Sequence, residues 1–152
     1  GCGEGMTSTQ TDPGDPRRGR RPLSHTADVI IEAWGPTREA CLEQMMIALA
    51  ESTADITQAT SSKQVRVGFE GSDEELLVAA LEEVIFRIDV GDGVPTEVTV
   101  EATETGIEVA MQLADLADVD GVGAAPKGVA YSDLLLTEDD DGTWRSRATI
   151  DV

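Results

Sequence analysis

The run Val98-Thr99-Val100-Glu101, the turn Thr103-Glu104-Thr105-Gly106 and the run Ile107-Glu108-Val109-Ala110-Met111-Gln112-Leu113 together decide the fold class. Val98 and Val100 alternate with polar neighbours. Ile107, Val109, Met111 and Leu113 recur at the same spacing on the return. A period of two puts one set of side chains on each face of a strand, so both runs read as half-buried strands. So short a polar, glycine-containing connection makes them an antiparallel hairpin.

The same reading extends outward in both directions. Residues 128–136 and 143–151 form a second hairpin through Asp139–Gly142, where Asp141-Gly142 suits a tight turn. Residues 63–70 alternate Val65, Val67 and Phe69 with polar residues. Residues 28–34 alternate Val29, Ile31 and Ala33 with Asp28, Ile30 and Glu32. Two segments instead follow helical spacing. In 37–53, with Thr37 as N-cap, Cys41, Leu42, Met45, Met46 and Leu49 make one apolar face. In 73–89, opened by the capping box Ser72-Asp73-Glu74-Glu75, the stripe is Leu77, Ala80, Leu81, Val84, Ile85 and Ile88. Six strands and two helices in this order predict an α+β fold, two helices packed on a largely antiparallel sheet system. Residues 114–126 read as an acidic loop. Residues 1–22 lack apolar periodicity and read as a disordered N-terminal tail before a domain at 23–152.

Composition narrows the function. Aromatics are 3% of a chain that is 40% hydrophobic, so the core must be aliphatic and methionine-based. The net charge is −19, and from Leu23 on only seven Lys or Arg face 27 acids. Such a surface repels phosphate backbones and suits cations or a basic protein partner. A solubility coat accounts for many of the acids under either reading. No apolar run approaches the roughly 20 residues a membrane helix needs. No export signal follows Arg17-Arg18, so a cytoplasmic location without membrane contact is expected.

Catalytic signatures are lacking. His25 is the only histidine, and no Gly-x-Ser-x-Gly elbow or Gly-rich phosphate loop occurs. Cys41 falls on an apolar helix face and reads as a core residue. The acidic groups Asp115/Asp118/Asp120 and Asp139/Asp140/Asp141 lack the 1-3-5 oxygen pattern and closing Glu of a calcium loop, so both read as polar loops. Asp28 and Asp151 stand out by position. Each ends a strand, out of phase with the apolar set, and if the strands are neighbours the two carboxylates converge. Two such carboxylates plus backbone oxygens suit Ca²⁺, Mg²⁺ or Mn²⁺. Solvated strand-end charges are the plain alternative.

Five pieces in order resemble the archease family: His25-Thr26-Ala27-Asp28, Trp34-Gly35, Glu74-Glu75-Leu76-Leu77, Gly128-Val129-Ala130-Tyr131 and Ile150-Asp151-Val152. The likeness runs from about Leu23 to Val152. It implies two intertwined strand-helix-strand-strand modules, one inserted in the other. It implies a non-enzymatic, metal-binding activator of RtcB-type 3′-phosphate RNA ligases, promoting guanylylation of a ligase histidine in tRNA splicing or RNA repair. RNA is then met only indirectly, through the ligase. The resemblance assigns metal ligation to Asp28 and Asp151, with an oxygen from Val152, here the last residue and so including its terminal carboxylate. Glu51 aligns with an acidic family position and otherwise reads as a surface helix residue. His25 takes a supporting position behind Asp28, or a purely structural one. Lys127 and Tyr131 match family positions, Tyr131 with simple packing as its alternative. Ser132 stands where many members carry His, which weakens any proton or metal role there. Two rival functions remain open: a chaperone-like modulator of an RNA methyltransferase, and a metal-dependent hydrolase using the same carboxylates.

Overall fold

The computed structural model describes residues 28–152. The expectations for the tail and for His25 lie outside them. The elements are β1 (Val29–Gly35), α1 (Arg38–Thr53), β2 (Ala54–Asp55), β3 (Ser61–Glu70), α2 (Asp73–Asp89), β4 (Val94–Ala102), β5 (Gly106–Ala114), a 3₁₀ turn (Leu116–Asp118), β6 (Asp120–Gly121), β7 (Gly128–Val129), β8 (Leu135–Glu138) and β9 (Trp144–Asp151).

Two antiparallel sheets result. In the first, β9 is central, with β1 along one side and β7 and β8 along the other. In the second, β5 lies between β3 and β4. The unit β3-α2-β4-β5 builds the second sheet. It is inserted between α1 and β7, inside the unit β1-α1-β7/β8-β9 that builds the first. This is the α+β arrangement expected from the sequence.

Both helices pack against both sheets. One continuous core joins Leu42, Met45 and Leu49 of α1, Leu77, Leu81 and Val84 of α2, Met111 and Leu113 of β5, and Ala148 and Ile150 of β9. As expected from so few aromatics, the side chains that fill it completely are Leu, Ile, Val and Met. A helix also covers a sheet edge: the Glu43 carboxylate on α1 accepts the Val100 N–H of β4 at 2.7 Å. That bond satisfies a donor in a strand paired on its other side only, and blunts an edge open to foreign strands.

The helix starts follow their caps. Thr37 Oγ1 accepts the Ala40 N–H at 3.0 Å. At α2 the capping box is complete, the Ser72 N–H donating to Glu75 Oε1 at 2.8 Å and the Glu75 N–H to Ser72 Oγ at 3.3 Å. Ser72→Ala should cost about 1 kcal/mol. The Ser72 N–H holds the Glu75 carboxylate below its ordinary range. A lowered carboxylate stabilises the fold above its unfolded-state range, and that share is lost as pH falls through the folded-state value. Urea midpoints at neutral and acid pH should therefore converge for wild type and Glu75→Gln only on the acid side.

The structure corrects the sequence reading in three places. The expected strand 128–136 is broken. Val129 faces Ile150, but Leu135 faces Arg147, so three extra residues loop out between β7 and β8. Asp133 adopts φ +62 there, in the left-handed region that Asp tolerates better than most residues. The run read as one strand holds the polar pair Ser132-Asp133 at this point. The expected loop 114–126 contains β6, which pairs with β2. Two-residue bridges carry no periodicity to read. β3 and β4 also start earlier than expected, past register shifts at Ser61/Lys63 and Pro95/Glu97, because a bulge puts the alternation out of phase.

Candidate functional site: the carboxylate end of the first sheet

The pairing of β1 with β9 sets Val29 opposite Ile150. One step further along the same register, Asp28 faces Asp151. Ile150 is buried at 1% exposure, and both aspartates are exposed on the opposite phase of their strands. They therefore lie on the outward face at one end of the sheet. Directly opposite residues of antiparallel strands have Cβ atoms roughly 4.5–5.5 Å apart. On its other side Asp151 pairs with Gly128, and its carbonyl accepts the Lys127 N–H at 2.7 Å. The backbone at Asp151 is thus held from both flanks. Val152 follows, partly buried against the core.

Like charges opposite each other cost up to about 1 kcal/mol. Further along the same face the charges are matched: Arg147 sits opposite Glu32 and binds it at 3.0 Å. Among the described residues, no ion pair neutralises Asp28 or Asp151. Two carboxylates and a neighbouring backbone oxygen are hard donors and fit a divalent cation of the calcium, magnesium or manganese type. Among the described residues no cluster of three or more His, Cys, Asp or Glu could hold a metal, so the protein side offers the two aspartates and backbone oxygens alone.

Glu51 does not join the aspartates in such a cluster. It is exposed near the end of α1 and borders a groove of about 560 Å³ beside β1, with Glu32, Trp34 and Ile47. Cys41 is fully buried, and burial pushes its thiol up to about 11, which leaves it unreactive. Both acidic loops behave as turn chemistry. Asp141 Oδ1 accepts the Thr143 N–H at 3.0 Å, Asp139 pairs with Arg145, and Asp115 offers its carbonyl to the Asp118 N–H. The packing alternative for Tyr131 fails: it is 73% exposed on the looped-out segment. Sequence reasoning left Phe86 unassigned and read Trp34 only as part of the family pattern, because periodicity assigns a residue to a face but not that face to solvent. No helix among the described residues is long and apolar enough to cross a membrane.

Known proteins share this architecture. A solution structure of Methanobacterium thermoautotrophicum protein 1598 superposes with a TM-score of 0.67 at 21% identity, over 84% of this chain and 94% of that one. A crystal structure of a Thermotoga maritima archease, described as a possible chaperone, gives 0.64 at 20% identity, over 89% and 98%. In sequence, the chain is 36% identical over 135 residues to the probable protein archease of Mycobacterium tuberculosis, covering 88% of this chain and 75% of that protein. It is 27% identical over 137 residues to the protein archease of Methanosarcina barkeri, covering 86% and 93%. The profile of the Archease protein family (MTH1598/TM1083) matches residues 21–152, and the chain belongs to the archease family.

Proposed function

We propose that this archease is a non-enzymatic accessory protein that activates an RtcB-type RNA ligase, presenting the Asp28/Asp151 end of its first sheet to the ligase as an open divalent-cation site. The observation that carries the reading is the register that sets two aspartates, with no ion pair among the described residues, opposite each other at an exposed sheet end. Asp28, Asp151 and the Val152 oxygen would hold the cation, with the remaining positions filled by water or by the partner. A cation bound there would supply positive charge. The chain's own residues position it: the Lys127 amide and the Gly128 pairing fix Asp151, and Ile150 anchors the strand in the core. The acidic body suits a basic active-site face and disfavours direct RNA binding, which supports a protein partner.

The test measures ligase guanylylation with GTP and Mn²⁺, with and without this protein. Asp28→Ala and Asp151→Ala should each lower the stimulation by about 10–100-fold, the range for losing supports of a metal site. A second readout needs no ligase. Divalent cation should raise the melting temperature of wild type and leave Asp28→Asn unmoved, since a ligand of the native state alone stabilises it. Phosphate release by the isolated protein would instead favour a hydrolase. The second reading is a chaperone-like modulator of an RNA methyltransferase. Unchanged guanylylation together with altered methyltransferase activity would select it.

A further inference from the structure

We infer that the exposed face of α2 is a docking groove for a basic segment of a protein partner, a segment carrying two apolar anchors. The inference rests on the reading above that the strand end meets a protein.

Two grooves run end to end along α2. The first, about 440 Å³, lies between Val78 and Ala79 of the helix and Tyr131 and Leu134 of the looped-out segment. The second, about 530 Å³, lies between Ile85 and Phe86 and the chain at Ala125–Gly128. Glu82 borders both, so the two adjoin at that residue and together make the channel along the helix. A helix turns its apolar stripe to the core and is polar opposite it. Here the face away from the core stripe carries Phe86 at 52% exposure, and Tyr131 stands over it at 73%. Large apolar side chains in a shared channel with a polar rim mark an interaction surface.

The rim supplies the partner's chemistry. Glu74, Glu82 and Asp89 border the channel with no ion pair among the described residues. Glu75 is engaged in the helix cap, and among the described residues Lys127 is the one cation in the lining. Val78 and Phe86 are separated by about 12 Å along the helix. Two apolar anchors at that spacing, flanked by Lys or Arg, would fill both halves and neutralise the rim. The channel also reaches the carboxylate end, because Lys127 and Gly128 line it and hold Asp151. A partner seated on the strand end meets the channel beside it.

The experiment follows backbone amide shifts of the full chain with two probes. One is an RtcB-type ligase. The other is a short synthetic Lys/Arg peptide with two leucines spaced by roughly 12 Å. Both should move the amides of 78–89 and 125–134. The double variant Glu82→Lys, Phe86→Ala should raise the ligase concentration for half-maximal guanylylation about tenfold while leaving the saturated rate unchanged, as for loss of a buried aromatic hot spot. Glu97→Lys, with a charge change of the same sign on β4, should leave both as in wild type. Ligase binding that leaves these amides still, or equal effects of Glu97→Lys and the double variant, overturns the groove while the strand-end reading stands. If the ligase neither binds nor responds, that reading fails, and the peptide decides the groove by shifting these amides in wild type and not in the double variant. Dimerisation through this face, or shifts here on removing residues 1–22, would assign the groove to a second copy or to the chain's own arm and overturn the proposal.

Discussion

A chain lacking Asp151 and Val152 should lose stimulation of the ligase by about 100-fold or more and still fold. The first loss follows from removing one of two facing carboxylates and the oxygen beside it, a larger change than disturbing a metal site's supports, which costs about 10–100-fold. Persistence of the fold follows from the register. Ile150, opposite Val29 and Val129, stays in the core, and six further β1–β9 residue pairs remain. The Lys127 amide loses its acceptor, worth about 1 kcal/mol, or 2–4 °C in melting temperature at this size. Single-turnover guanylylation read beside circular dichroism separates the two effects. Full stimulation by the folded, shortened protein would end the proposal, although membership of the family would stand.

Gly106→Ala should be the most damaging single methyl addition to the fold. A Cβ at Gly106 would lie 1.9 Å from the Phe69 carbonyl oxygen, and the atoms that would have to move belong to the backbone of β3. Glu70 pairs with Gly106 at the end of the longest ladder in the protein, so the shift would propagate into the register of the second sheet. Gly106 also accepts, at the limit of hydrogen-bonding distance, from the Arg38 guanidinium, which binds Asp73 at 2.9 Å and so ties the starts of the two helices together. We expect a loss of about 3 kcal/mol, the upper end for overpacking, out of the 5–15 kcal/mol typical of a domain. Gly68→Ala is the control. Its Cβ would meet only the Ile107 oxygen at 3.7 Å, an ordinary contact, and stability should stay within about 0.5 kcal/mol. Equal melting temperatures for the two variants would show that the close approach at Gly106 relaxes freely.

The two examples mark what could be read from residues alone. The β4–β5 hairpin was legible because Ile107, Val109, Met111 and Leu113 keep strict phase over a short turn. The helices were legible because Thr37 and Ser72 announce them and the stripes behind run for several turns. The facing of Asp28 and Asp151 needed one further fact, that β1 and β9 are neighbours. No local pattern carries this, since those strands lie more than a hundred residues apart in the chain. The resemblance named both carboxylates for one metal site without giving the pairing, and the pairing of β1 with β9 sets the two strand ends side by side. The surface of α2 was illegible for a different reason. Most of its core stripe was read, although Leu76 is buried as well and Ile88 only partly, but Phe86 faces away from that stripe, and no sequence period says whether an apolar residue so placed is covered. The break at Ser132-Asp133 was not read, since a polar pair can also sit in a continuous strand, and only the pairing with β9 shows that the intervening residues loop out and lift Tyr131 into solvent.

The central place of β9 has a kinetic consequence. Glu32 and Arg147, which meet across the first sheet, are separated by 115 residues of chain. Pairings of such long range are slow to form, because the loop must close before its contacts repay the cost. During synthesis at about 5–20 residues per second, β1 waits roughly 6–20 s for its partner strand. The β3-α2-β4-β5 unit, built on neighbouring segments, is free to assemble meanwhile. The two aspartates thus come together only when the last ladder closes. A half-made or partly opened molecule does not carry the paired carboxylates, so any activity that depends on them reports a completed fold.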